Sequence, residues 1–280
     1  MGDEKPILLA EGSTRDNNLG DVLRDVKVLV WNRKVVANTG VDLGYCFAHC
    51  STLKKIYGLD NWNVSNIHHL YYMFSGCNKL EQIYGIESWD VSNVVNMDGM
   101  FIACKNLRFV NCQWNTISLR ECLDMFSGCN KLEQIYGIES WDVSNVVIMD
   151  CMFEDCETLK LLNISGWNFT DKYRSATDMF ARCKKLTKII TSEKTMSAIL
   201  KYQITNGADS QISIIKSDDV EIDEDNLDVY TFITQYINIS RVRFDYVLKI
   251  VAKRPYHPNK SLTDSTNLPL LISMMKRYKH

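Results

Sequence analysis

The chain has 280 residues, 24% of them charged, and a formal net charge of −2 at pH 7. That balance supplies no global field toward nucleic acid or membrane. No apolar run approaches the roughly 18 residues needed to cross a bilayer, and the length suits one long domain or two.

The first 18 residues, MGDEKPILLAEGSTRDNN, are acidic and poor in apolar residues, so they do not read as a signal peptide. Pro6 stands where a myristoylation signal carries Ser or Thr. Residues 7–10 and 25–31 are predicted strands, and 34–37 follows after Asn32 and Arg33 as the second arm of a hairpin. Residues 1–40 are read as an N-terminal β cap.

Residues 41–190 repeat. The 23 residues 73–95, MFSGCNKLEQIYGIESWDVSNVV, recur letter for letter at 125–147. A shorter period lies inside this duplication. The motif Phe-x-x-Cys-x-x-Leu occurs six times, with its Phe at 47, 74, 101, 126, 153 and 180. A further apolar residue follows each Leu at +3: Ile56, Ile83, Val110, Ile135, Leu162 and Ile189. One Trp stands between successive motifs, at 62, 89, 114, 141 and 167. A fixed apolar frame with a free polar remainder means coils that cannot bury the frame singly and bury it by stacking, which is a solenoid.

The spacing divides each coil in two. From Trp to the next Phe the distance is 12, 12, 12, 12 and 13; from Phe to the next Trp it is 15, 15, 13, 15 and 14. The first arc is nearly rigid and the second tolerates insertion. Gly58, Gly85 and Gly137 mark the insertion, where a bulge or tight bend excludes a side chain. In the rigid arc Val94, Met97, Phe101 and Cys104 fall on one face of a helix, with Ser92 and Asn93 suited to its N-cap. The Leu-x-x-Ile arc is predicted to be a strand. The expected fold is α/β: a solenoid of about six coils, each with one parallel strand and one short helix. At about 4.8 Å per coil its sheet runs about 25–30 Å, a face suited to a protein partner.

These residues resemble the BspA-type leucine-rich repeats, in the MFxxCxxL…WDVSNV variety found in bacterial surface proteins, mycoplasma lipoproteins and some large DNA viruses. The resemblance covers about residues 45–190 and departs from the pattern in the linkers at 114–118 and 167–171. It implies a curved, right-handed solenoid that binds other molecules, and no reaction.

Ten cysteines in such a chain argue for a reducing compartment. Six are the repeat Cys, expected to stack as small buried residues with a weak S–H donor to backbone. Cys46 and Cys122 also fall at core positions, whereas Cys112 and Cys151 have no assigned place. Five Asn-x-Ser/Thr triplets, from Asn63, Asn163, Asn168, Asn238 and Asn259, are read as turn chemistry.

Residues 191–280 carry no repeat and are read as a small C-terminal α/β region, with a helix at 192–202 and a strand at 211–216. Seven acids lie within 218–228; nine Lys/Arg against two acids lie within 241–280. The two patches are expected to offset each other or to face solvent separately. The basic one is also a candidate, though a disfavoured one, for an acidic partner or nucleic acid. The acid run lacks the order of a calcium loop.

No phosphate loop, nucleotide-binding glycine pattern or nucleophile elbow is present, so no catalytic or cofactor-binding residues are expected. His49, His68 and His69 lie about one coil apart and are read as turn histidines ahead of a metal site. Contact residues are expected beside the strand Leu and Ile: Lys54, Lys55, Tyr57, Glu81, Gln82, Tyr84, Arg108, Phe109, Glu133, Gln134, Tyr136 and Lys160. Aromatic rings flanked by charge suit a protein interface. The first reading is a non-catalytic intracellular scaffold for an unidentified protein partner, with no membrane insertion. The second is a structural component of an assembly such as a large DNA virus particle. The third is an inhibitor or effector of a host or competitor protein.

Overall fold

The computed structural model describes residues 7–9, 19, 23–32, 34–37, 42–202 and 212–217. The chain divides into two compact units, Met1–Leu227 and Asp228–His280, and every described residue belongs to the first. The acidic run at 218–228 and the basic region at 241–280 lie outside the described residues.

The repeat folds as expected into a parallel β-solenoid of six coils. Its strands come from the Leu-x-x-Ile arcs: β4 (Lys55–Tyr57), β6 (Gln82–Ile83), β7 (Phe109–Asn111), β8 (Gln134–Tyr136), β9 (Leu161–Asn163) and β10 (Lys188–Thr191). β4 pairs with β6, β7 with β8 and β9 with β10, all in parallel, and the inward residues align: Ile56 with Ile83, Val110 with Ile135, Leu162 with Ile189. A one-residue slip would turn each inward residue to solvent, so the frame fixes the register.

The ends differ from the expectation in one respect. Strands β1 (Ile7–Leu9), β2 (Val28–Val30) and β3 (Val35–Ala37) form, but β2 and β3 are not a hairpin. β2 pairs in parallel with β4, whereas β3 lies between β1 and β5 (Trp62–Asn63), also in parallel. The two therefore sit on different sides of the coil, because the inward residue at each continues a row already set by the repeat. At the other end α1 (Glu193–Tyr202) and β11 (Ser213–Lys216) form where predicted. β11 extends the sheet beside β10. Thr195 of α1 is buried and donates to the Trp167 carbonyl at 2.6 Å, which closes the last coil.

The rigid arc is not a helix. It is two successive turns, and the residues two before and two after each Phe take positive φ in all six coils. Before Phe these are Tyr45, Tyr72, Gly99, Asp124, Cys151 and Asp178; after it, His49, Gly76, Ala103, Gly128, Asp155 and Arg182. The hydrogen bonds explain this. Within the third coil Met100, Ile102 and Cys104 donate three residues back, to Met97, Gly99 and Phe101. The alternate amides of Met97, Gly99, Phe101 and Ala103 instead donate to the next coil, at Glu121, Leu123, Met125 and Ser127. A helix would satisfy all of them internally and leave the coils without a backbone ladder on this side. The residues before the arc form an Asx turn, not a cap: Asp90 and Asp142 accept from the amides of Ser92 and Ser144. Short 3-10 helices occur in the other arc, at Leu59–Asn61, Ile86–Ser88 and Ile138–Ser140. Each follows one of the marked glycines, whose φ is +85°, +101° and +81° at Gly58, Gly85 and Gly137. A Cβ on Gly58 would lie 1.9 Å from the Trp31 carbonyl oxygen.

Three ladders fill the interior. The six Phe rings are fully buried and stack nearly parallel, with centroids 5.2–5.7 Å apart. Burial of each contributes about 1.5–3 kcal/mol. The repeat Cys thiols of coils two to six each donate to the Phe carbonyl of the preceding coil, at 2.9–3.3 Å. The indole N–H groups of Trp89, Trp114, Trp141 and Trp167 do the same to Leu59, Ile86, Cys112 and Ile138, at 2.7–2.9 Å. Of the unassigned cysteines, Cys112 is buried and Cys151 is half-buried.

Candidate protein-binding face

The outward side of the sheet presents three rows of side chains along the solenoid axis. Two of them arise because each strand turns its middle residue inward, so the residues on either side face out, and the residue just before each strand supplies the other. The first row precedes the strands and alternates in sign: Lys54, Glu81, Arg108, Glu133, Lys160. Lys54 pairs with Glu81 at 3.8 Å and Arg108 with Glu133 at 2.8 Å. These pairs are exposed, worth under about 1 kcal/mol each, and are easily given up to a partner. The second row runs Lys55, Gln82, Phe109, Gln134. The third runs Tyr57, Tyr84, Asn111, Tyr136.

Twelve expected contact residues thus fall on one face, but the aromatic residues are not one continuous stack. Tyr57 and Tyr84 lie face to face at 4.7 Å. Asn111 then interrupts the row. Phe109 belongs to the neighbouring row and reaches Tyr136 only diagonally, at 6.3 Å, with the Arg108 guanidinium 5.2 Å above its ring. Tyr84 is 40% exposed. The Gln82 side-chain oxygen is buried without a hydrogen-bond partner.

Sequence reasoning missed two residues of this face. Val28 and Val30 of β2 are 51% and 65% exposed and stand in register with Lys55 and Tyr57. The signal was present in the out-in-out pattern Val28-Leu29-Val30, which matches Lys55-Ile56-Tyr57, but no Phe-x-x-Cys motif precedes it to mark a coil. With them, an apolar strip of Val28, Val30, Tyr57 and Tyr84 covers the N-terminal half of the face.

The turn side of the coils has a different character. Asp124, Cys151 and Glu154 bring ligand atoms within 4.8 Å of one another. Burial, then Glu154, Asp98 and Asp150, pushes the Asp124 carboxyl up. Burial, then Glu154 and Asp124, pushes the Cys151 thiol up to about 11. A protonated thiol is a poor nucleophile and a poor metal ligand. The three histidines, His49, His68 and His69, do not gather into such a group among the described residues. No helix among the described residues is long and apolar enough to cross a membrane.

Residues 41–136 and 111–216 match the family described as Mycoplasma protein of unknown function, DUF285. The two matches together span more than half of the chain. The chain belongs to the DUF285 family. The DUF285 match begins just before the first Phe motif and ends in β11. No curated protein matches the sequence. Among solved structures this DUF285 chain is similar to a leucine-rich repeat protein of T. pallidum, at 15% identity and a TM-score of 0.32, over 64% of this chain and 86% of that one. It is also similar to a leucine-rich repeat protein from Bacteroides ovatus, at 15% identity and a TM-score of 0.20, over 68% and 66%.

Proposed function

We propose that this chain is a non-catalytic protein-binding scaffold of the BspA type, and that its partner docks on the sheet face. The reading assigns residues 1–40 to a cap, 41–190 to the binding solenoid and 191–280 to a separate C-terminal region. The observation that carries it is the exposure of Val28, Val30 and Tyr84 on that face, in register with Tyr57. Large apolar side chains collected on one face mark an interaction site more often than scattered ones do. Tyr and Arg at its centre are the residue types that carry binding energy, and the exposed ion pairs around them set specificity. Ten cysteines, all free among the described residues, suit an intracellular, reducing setting.

The test is affinity capture from the native source, with mass spectrometry of the recovered proteins. The wild-type chain is expected to recover a partner that the Tyr84→Ala/Tyr136→Ala double variant loses while its circular dichroism and urea midpoint stay close to wild type. Equal recovery by a folded double variant would remove the sheet face as the docking surface.

A further inference from the structure

The residues that close each turn arc and lead into each strand form a strip across all six coils: 51–55, 78–82, 105–109, 130–134, 157–161 and 184–188. It holds ten Lys or Arg against three Glu, in a chain whose net charge is −2. Each glutamate is already matched: Glu81 by Lys54, Glu133 by Arg108 and Glu157 by Lys184. Lys131 donates to the neutral Asn106 side chain. Lys55, Lys79, Lys105, Lys160, Lys185 and Lys188 make no ion pair among the described residues; Lys55 is half-buried and the other five are exposed. One surplus cation therefore stands on every coil and two on the last. These lysines stand at different positions of the strip, not in register, so they form a patch of like charge across the coils that favours an anion.

The border of the strip limits what can cover it. In coils three to six the turn arcs immediately before it, at 96–103, 121–128, 148–155 and 175–182, hold seven acids against Arg182 alone; the arcs of the first two coils add only Asp42. A broad polyanion laid on the lysines would meet those carboxylates, whereas one extended chain would not. The rings beside the strip are also occupied, Tyr57 by Tyr84 and Phe109 by Arg108 and Tyr136. Bases therefore find few open aromatic faces of the kind that single-stranded nucleic acid uses.

We infer that this lysine strip binds an extended acidic polypeptide segment running along the solenoid axis. Six coils at about 4.8 Å span about 24 Å from first to last, which an extended chain at about 3.3 Å per residue crosses in seven or eight residues. Alternate side chains of that segment face the lysines. The inference rests on the reading of the neighbouring sheet as a protein-docking face and names the chemistry of what docks there.

The probe is a fluorescently labelled octapeptide of glutamate, titrated with the full chain and followed by anisotropy. Binding is expected at about 50 mM salt and weakens severalfold at about 200 mM. Reversal of three lysines, Lys79→Glu, Lys105→Glu and Lys160→Glu together, weakens it at least about tenfold. Reversal of Arg120, Lys172 and Arg174, which lie off the strip, leaves it within about twofold. If the reversed chain fails to fold, the Gln triple at the same three positions serves instead, with a loss of about threefold expected. No binding at low salt, or equal loss in the off-strip control, overturns the inference. Tighter binding of a charge-matched oligothymidylate assigns the strip to nucleic acid and overturns it too. Tighter peptide binding after the acids of 218–228 are changed to amides makes that segment the occupant and overturns an external partner. The tyrosine double variant tests the sheet face separately, so loss of either reading leaves the other open to its own measurement.

Discussion

The two arcs of each coil are built from the same kind of apolar frame, yet one nearly keeps its length, with a single added residue before Phe180, and the other does not. The rigid arc sends every second amide to the next coil and brackets its Phe with two residues in the left-handed region. Adding a residue would throw the amide ladder, the Phe stack and the thiol donors out of step at once. The variable arc joins the coils through two or three strand residues and then turns on a local 3-10 helix behind a glycine. Its third coil omits the glycine turn, runs from Asn111 to Trp114 directly, and loses only the local helix. Cooperation between coils makes one arc intolerant, and local closure makes the other adaptable.

The largest expected effect is a pH dependence carried mostly by the turn arcs, with Cys112 of a variable arc adding to it, since burial pushes that thiol up as well. Cys46, Cys104, Cys122, Cys129 and Cys156 lie in rigid arcs and burial pushes all five thiols up, Cys46 and Cys129 to about 12. The folded chain keeps protons that the unfolded chain gives up near pH 9, so stability is complete below that value and falls as pH rises toward 12. Each thiol contributes a loss of about 1.4 kcal/mol per pH unit. Urea midpoints measured from pH 8 to 10.5 should fall steeply, and Cys129→Ala should flatten the slope by one thiol's share. A level profile would mean that the thiol ladder is open to solvent.

Next, Phe101→Ala removes the middle of the ring stack and should cost about 3–5 kcal/mol, read as a lower urea midpoint. The glycines then set the arcs against each other. A Cβ on Gly137 would lie 2.4 Å from the Gln113 Cα, whereas one on Gly128 meets nothing nearer than 3.4 Å, at the Ala103 backbone. Gly137→Ala should cost about 2–3 kcal/mol. Gly128→Ala should cost about 1 kcal/mol, the left-handed preference alone. Similar losses at both would contradict the steric difference. Smallest of all, Ala103→Gly relieves a left-handed alanine at the position that Gly76 and Gly128 fill in neighbouring coils, and should stabilise by about 0.5–1 kcal/mol in the same measurement.

The period, the inward frame, the strand positions and the glycine bends were legible in the sequence. Each is a one-dimensional signal: an apolar residue that recurs at a fixed spacing must be buried wherever the coil goes. The outward rows followed from that frame, which is why Tyr57, Tyr84 and Tyr136 could be placed on one face. The structure decided what depends on where a hydrogen bond ends. Val94, Met97, Phe101 and Cys104 suit a helical face and a pair of turns equally well, and all four are buried in the turns. Only the next coil, 24 residues on, takes the amides that exclude the helix. For the same reason β2 and β3 joined different sheets, and Phe109 left the tyrosine row for its neighbour. The lysine strip was also invisible in linear order, where its cations are scattered among acids. Stacking parallel coils collects residues some 24–29 positions apart onto one strip, and charge that averages to nothing along the chain does not average to nothing across its surface.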